Sequence, residues 1–281
     1  MKRRILTDNQ IAAFAVYLKS EEKSENTVEK YIRDVRAFAT YVGDTEITKE
    51  TVISYKGKLL SDNYAARSIN SMLASINSLF QFFGWVDLKV KSVKLQRQIY
   101  YPEEKELTKA EYMRLVHTDK QKGNERLNLL IQTICGTGIR VSELQYITVE
   151  AVKCGEAVVS LKGKIRSVFI VRELQKKLLR YAAEQRISSG AIFITRSAKP
   201  MSRTNIWREM KSLCEKARVN PQKVFPHNLR HLFARTFYGI EKDIAKLADI
   251  LGHSSINTTR IYIITTGNEH RQRMENMRLI L

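Results

Sequence analysis

Residues 225–262 read FPHNLRHLFARTFYGIEKDIAKLADILGHSSINTTRIY, and the rest of the 281-residue chain is organised around this stretch. It carries His227, Arg230, His253 and Tyr262, with a hydrophobic helical segment between the first pair and the second. An acid/base imidazole, a fixed cation and a phenol are the groups needed to attack a phosphodiester without a metal ion. The attack builds extra negative charge on the phosphorane, and arginines clamp its oxygens bidentately where a lysine acts only as a point charge. A phenol, of ordinary pKa about 10, becomes a nucleophile where neighbouring cations favour the phenolate.

Taken singly, each residue also has a plain structural role. Arg140 can pair with Glu143 one turn on, His227 after Pro226 can cap a helix, and His253 after Leu251-Gly252 can serve a turn. Tyr262 can pack as Tyr31, Tyr181 and Tyr238 do. His231 is read as packing, because it continues the His227 helix toward Leu232 and Phe233, and His117 and His270 carry no signal.

Charge narrows the partner. The chain holds 48 Lys and Arg against 29 Asp and Glu, a formal net charge of +19. Residues 1–106 contribute +3 and residues 107–281 contribute +16, so the excess lies in the C-terminal two-thirds. A positive field of this size suits a polyanion, with DNA or RNA first. Acidic membranes compete, but no basic amphipathic surface helix or lipidation signal is present, nor any apolar run long enough to span a bilayer. Cys135, Cys154 and Cys214 form neither a metal pattern nor a disulfide framework, which suits a reducing cytoplasm.

The periodicity predicts a mainly α protein with one small antiparallel sheet, an α+β chain. Four helices are expected over about 8–22, 26–42, 48–60 and 66–83. The last has a polar face of Arg67, Asn70, Ser71, Ser75, Asn77, Ser78 and Gln81, uncharged except at its start and suited to the floor of a DNA groove. Residues 87–107, DLKVKSVKLQRQIYYPEEKEL, break the period and read as a basic linker. Beyond it come helices over 108–118 and 124–135, the turn GTGIR opening a helix over 140–146, and a hairpin of 157–161 with 166–171. A helix over 172–186, a strand over 191–195 and a helix over 203–217 follow. The remainder is helical: 226–239, 242–251, a segment ending at Tyr262, and a tail after Gly267.

TGIRVSEL at 137–144, HNLRH at 227–231 and LGHSSINTTRIY at 251–262 together resemble the tyrosine recombinases, or phage integrases, and especially their short Xer-like members. The first motif implies a catalytic arginine at Arg140 supported by Glu143, the second implies His227 and Arg230, and the third implies His253 and the nucleophile Tyr262. The family places a further lysine in a hairpin turn, where it protonates the leaving 5′ oxygen. Setting Arg166-Ser-Val-Phe-Ile against the arginine-containing strand puts this lysine at Lys162, with Lys164 as the alternative. The turn is one residue shorter than usual, and Phe169 stands where many relatives have proline.

The resemblance implies a core-binding, SAM-like helical domain over 1–90, a linker over 91–106 and a catalytic domain over 107–281, closing as a C-shaped clamp on duplex DNA. It places helix 66–83 in the major groove, Lys164 and Arg166 on the DNA beside the hairpin, and Arg203 and Arg208 near phosphates. It implies a 3′-phosphotyrosyl intermediate and a Holliday junction, with no metal, ATP or other cofactor. The partners are double-stranded DNA with inverted-repeat core sites and a homo-tetramer on synapsed DNA, with a monomer before synapsis and the nucleoid as its place of work. The tail NEHRQRMENMRLIL (268–281), with Met274, Met277, Leu279 and Ile280, resembles the helix that docks into a neighbouring protomer, though packing on its own chain reads the same. The chain begins almost at its first helix, so simple core sites without arm sites are expected. A type IB topoisomerase, a telomere resolvase or a DNA-binding protein without catalysis are the other readings. Integration, excision, resolution and inversion all stay open, as do the target site, the mobile element or host, and any accessory protein.

Overall fold

The structure, a computed structural model, describes residues 3–95, 102–122, 124–161, 164–263 and 267–277. They group into two compact units, residues 1–97 and 98–281. Among the described residues no helix is long and apolar enough to cross a membrane.

The first unit is the expected set of four helices: α1 (Asp8–Ser20), α2 (Glu25–Val42), α3 (Lys49–Ser61) and α4 (Ala66–Phe82). Thr7 and Thr48 open α1 and α3 with reciprocal capping boxes to Gln10 and Thr51, satisfying amide groups that the first turn leaves without partners. The apolar stripes meet in one core that includes Phe14, Phe38, Ile69, Leu73 and Phe80. One charge is buried with them: Asp34, held by Lys30 at 2.7 Å and by the Ser75 hydroxyl at 2.9 Å.

The polar face of α4 is put to a use the sequence did not reveal. Asn70 donates to the Val93 carbonyl at 2.9 Å and accepts from its N–H at 2.7 Å. Asn77 does the same with Val90, at 2.9 and 3.0 Å. Seven helical residues advance about 10.5 Å and three extended ones about 10 Å, so the two amides match the repeat of a strand laid along the helix. From α3, Lys49 holds the carbonyls of Asp87 and Lys89, and Lys56 holds that of Lys91 at 2.8 Å. The start of the expected linker is therefore strapped onto the first unit. Asn70 and Asn77, expected to read DNA, have both ends of their amides committed to this strap, and Gln81 accepts from Lys89.

In the second unit α5 (Lys109–Lys122) and α6 (Glu125–Thr137) come first. α6 is buried along most of its length, through Leu127, Leu129, Leu130, Ile131 and Ile134, and touches α5 and three later helices. α7 (Val149–Cys154), a short helix missing from the sequence reading, precedes β1 (Glu156–Leu161) and β2 (Lys164–Phe169). These strands pair antiparallel with Val159 opposite Arg166 and Ala157 opposite Val168. Then come α8 (Arg172–Glu184), α9 (Arg203–Lys211), α10 (Pro226–Glu241), α11 (Ile244–Leu251), α12 (Ile256–Ile263) and α13 (Gly267–Asn276).

Three expectations shift. Residues 141–146 form a 3-10 turn and not an α-helix, since Glu143 folds back onto the Arg140 backbone. The strand expected over 191–195 is reduced to isolated bridges, Thr148 with Ala191 and Ile194 with Pro200. Ile192 and Phe193 are apolar because they plug the core, which a short apolar run cannot announce. The helix expected over 203–217 stops at Lys211, although Leu213, Cys214 and Ala217 stay buried in the turns that follow.

The strap generates a prediction. Replacing Asn77 with Ala strands a backbone N–H and a carbonyl, and lowers stability by about 1–3 kcal/mol. Urea unfolding reads the loss, and limited proteolysis shows earlier cleavage within residues 86–95; an unchanged midpoint and pattern would contradict the role.

Candidate active site

Three consecutive backbone carbonyls build the site. α11 ends at Leu251, and Gly252 caps it in the left-handed region at φ +63°. The carbonyls of a last helical turn lack helical partners and carry the negative end of the helix dipole. Here each takes a different arginine: Ile250 accepts from Arg166 at 3.0 Å, Leu251 from Arg230 at 2.7 Å, and Gly252 from Arg140 at 3.3 Å. Arg230 also donates to the carbonyl of Gly138, which caps α6. A Cβ on Gly252 would lie 2.3 Å from Cδ of Arg166, so glycine is required there for space as well as for φ.

Glu143 is the counter-charge. Its side chain is 1% exposed, with Oε1 on Arg140 at 2.9 Å and Oε2 on Arg166 at 2.6 Å. Burial pushes its pKa up, but the Arg140 N–H and the two guanidiniums outweigh this and hold it below the ordinary carboxylate value. Arg166, expected on DNA, is thus turned inward. Its strand partner Val159 and its i+2 neighbour Val168 are both buried, so the β parity already placed it on the inner face.

Tyr262 is 4% exposed and packs against Ala234, Leu247 and Leu251. Its ring lies 5.5 Å from those of His253 and His227 and 5.3 Å from that of His231, and is stacked on His253 at 14°. Beside it lies Arg230, whose pKa is lowered to about 10 by burial and by Arg140 and partly restored by Tyr262. His253 accepts from Arg230 at 3.1 Å through Nε2 and sits 2.9 Å from the Thr259 hydroxyl through Nδ1. Beside these groups a cavity of about 360 Å³ is lined by Arg140, Arg203, Trp207, Phe225, His227 and Arg230.

The structure therefore brings Arg140, Glu143, His227, Arg230, His253 and Tyr262 together in one unit. Lys162 lies outside the described residues, and Lys164 is described only as the β2 residue opposite Leu161. Arg203 lines the cavity, while Arg208 is exposed on the same helix. Arg67, Ser71 and Gln81 are exposed on α4, with Ser78 half-buried.

Residues 105–269 match the Phage integrase family, and residues 11–85 match its N-terminal SAM-like domain. The chain belongs to the phage integrase family. As a tyrosine recombinase it is a site-specific DNA strand transferase. Tyrosine recombinase XerA of Pyrococcus furiosus is 28% identical over 290 residues, covering 100% of this chain and 98% of that protein. Tyrosine recombinase XerD of Rickettsia conorii is 29% identical, covering 90% of this chain and 92% of its own. A lambda integrase dimer bound to a COC′ core site shares the fold at TM-score 0.74 and 15% identity, covering 93% of this chain and 96% of that one.

Sequence reasoning missed three residues of this recombinase site. His231, assigned to packing, faces Tyr262 and hydrogen-bonds the Ile261 backbone. Its place one turn after His227 was the available signal. Thr259 is buried against His253, and its spacing of three from Tyr262 puts both on one helical face. Trp207, four residues after Arg203, shares its face and lines the cavity half-exposed.

The imidazoles are held neutral. Burial, then Arg230, Arg140 and Arg166, lower the pKa of His253 from 6.5 to about 4. Burial likewise lowers His231 to about 4, against a smaller opposing pull from the Ile261 backbone. His227 is lowered by the protein at its inner edge and by Arg230, Arg140 and Arg203.

Two outcomes follow from these charges. Glu143→Ala leaves Arg140 and Arg166 facing each other without their shared carboxylate, and lowers unfolding stability by about 3–5 kcal/mol in urea titrations. Between pH 6.5 and 4 the unfolded chain binds protons at His231 and His253 that the folded chain refuses, so stability rises with pH across this window and falls on acidification. Unfolding midpoints at pH 7.5, 6, 5 and 4.5 should decline in that order; a flat series would contradict the shifts.

Proposed function

We propose that this chain cuts and rejoins DNA through a 3′-phosphotyrosyl intermediate, exchanging strands by way of a Holliday junction. The observation that carries the reading is Tyr262, seated among His227, His231 and His253 of its own chain and beside Arg230. The phenol oxygen attacks the scissile phosphate, forming the tyrosyl ester as the 5′ oxygen leaves. Arg140 and Arg230 clamp the phosphorane oxygens and His253 adds a third contact. His227, at the cavity mouth, assists proton transfer, and Lys162 protonates the leaving oxygen. The ester conserves the bond energy, so a 5′ hydroxyl from a second duplex reverses the step with no ATP or metal.

DNA enters across the cavity, with Arg203 and Arg208 on phosphates. The first unit closes on the duplex as the other half of a clamp, with Arg67, Ser71, Ser78 and Gln81 toward the groove and Lys164 near the DNA. Support comes from the charge of the second unit and from relatives solved on DNA, among them a XerH recombinase bound to difH substrate. The cleaving assembly is a tetramer on paired inverted-repeat sites, working in the cytoplasm on the nucleoid. Tail docking joins its members. Met274 and Met277 are 60% and 59% exposed on their own chain. An apolar recess of about 330 Å³, lined by residues including Tyr112, Cys135, Leu232, Phe233, Phe237 and Ile240, offers a neighbour's tail its seat. Leu279 and Ile280 of the tail lie outside the described residues.

Random-sequence duplexes nicked in one strand, incubated with the protein and run under denaturing conditions, test the reading. Wild type should form a covalent adduct that Tyr262→Phe lacks, and a Met274→Asp/Met277→Asp protein should bind DNA but form fewer adducts and no exchanged product. An adduct retained by Tyr262→Phe would sink the assignment of the nucleophile, and undiminished exchange by the tail variant would sink the docking.

A further inference from the structure

The cavity beside the arginine cluster is larger than a phosphate needs. At about 360 Å³ it falls among pockets that enclose a whole small molecule. Its cations come from two sides: Arg140 and Arg230 from the cluster, and Arg203 from α9. Much of the wall between them is apolar, with Trp207, Phe225 and Pro226 in it.

Trp207 is the unusual part of that wall. It lies one turn after Arg203 and is 50% exposed, although an indole is among the side chains that gain most from being covered. The helix beneath it is firmly seated, because its neighbours Ile206 and Met210 are buried. The ring is also held from above. Lys211 places its ammonium 5.2 Å from the ring centroid while donating to the Pro221 carbonyl. An aromatic surface fixed in this way, and left open beside arginines, suits a ligand that is part anion and part apolar.

A DNA strand has that alternation, with a charged phosphate, an apolar sugar face and the next phosphate. Arg140 and Arg230 take one phosphate, Arg203 takes its neighbour, and the sugar between them meets the indole. Packing on the sugar leaves the base pair intact and is indifferent to sequence. We propose that Trp207 is a binding residue for the deoxyribose next to the scissile phosphate. The proposal rests on the recombinase reading and deepens it. The contact sets how far along the strand the phosphate lies when it meets the arginines, a placement to which reaction rate is sensitive.

The chain has two tryptophans, Trp85 and Trp207, so in Trp85→Phe protein the indole fluorescence comes from Trp207 alone. Random-sequence duplexes, with binding followed by the anisotropy of a label, should protect this indole from acrylamide quenching and shift its emission to the blue. Inorganic phosphate carries no sugar and should do neither. Adduct formation on the nicked duplexes should fall about tenfold in Trp207→Ala and by less in Trp207→Phe. Full quenching on the bound duplex, equal protection by phosphate, or a wild-type rate in Trp207→Ala would overturn the proposal. So would an indole already shielded in concentrated protein without DNA, which would point to a second copy of the chain as its occupant. If Trp85→Phe does not fold, the difference between wild type and Trp207→Phe isolates the same signal. Failure of the recombinase reading looks different, because wild type would then form no adduct while duplex still protected Trp207.

Discussion

Like charges repel, and two unit charges 4 Å apart cost about 4 kcal/mol at an effective dielectric near 20. The catalytic unit nevertheless gathers Arg140, Arg166 and Arg230 around one point. What allows it is the C-terminal end of α11, where the carbonyls of Ile250, Leu251 and the cap Gly252 accept one arginine each, together with the buried carboxylate of Glu143. The Gly138 carbonyl at the end of α6 adds a further acceptor for Arg230. Two helix ends and one glutamate thus create a negative hollow that holds three cations in fixed geometry. The remaining donors of Arg140 and Arg230 are held in advance in fixed directions, which is the condition for electrostatic catalysis.

The histidines are the complement of that arrangement. In a field this positive a protonated imidazole is disfavoured, and His253 and His231 are neutral until pH is well below neutrality. A neutral His253 can accept from Arg230, and it does. Tyr262 lies flat against it, so the phenol, the Arg230 guanidinium and the imidazole form one contact network. A phosphate entering this network brings negative charge to a place prepared for it.

The first unit uses its polar residues on itself. An unpaired peptide group is costly wherever water is excluded, and Asn70 and Asn77 present amide groups at the repeat of an extended chain. They capture residues 90–93 as a strand would, without a sheet. It leaves Arg67, Ser68, Ser71 and Gln81 as exposed polar residues of α4.

Much was legible in the residues themselves. Helical period and capping gave the four N-terminal helices to within two residues at either end, because local hydrogen bonding and one-sided burial both act at short range. The ordered motifs named Arg140, Glu143, His227, Arg230, His253 and Tyr262, and these do converge. Other roles depended on what lay opposite. Arg166 reads as a DNA contact, whereas in the fold Glu143 and the Ile250 carbonyl hold it. Asn70 and Asn77 read as groove residues until the strap lies over them. His231 reads as packing until α12 folds back against α10 and α11 and brings Tyr262 to it. A sequence by itself determines which groups are available and how each element begins and ends. Only the tertiary structure decides which partner each polar group meets, because that partner comes from another element, 112 residues away in the case of Arg140 and Gly252.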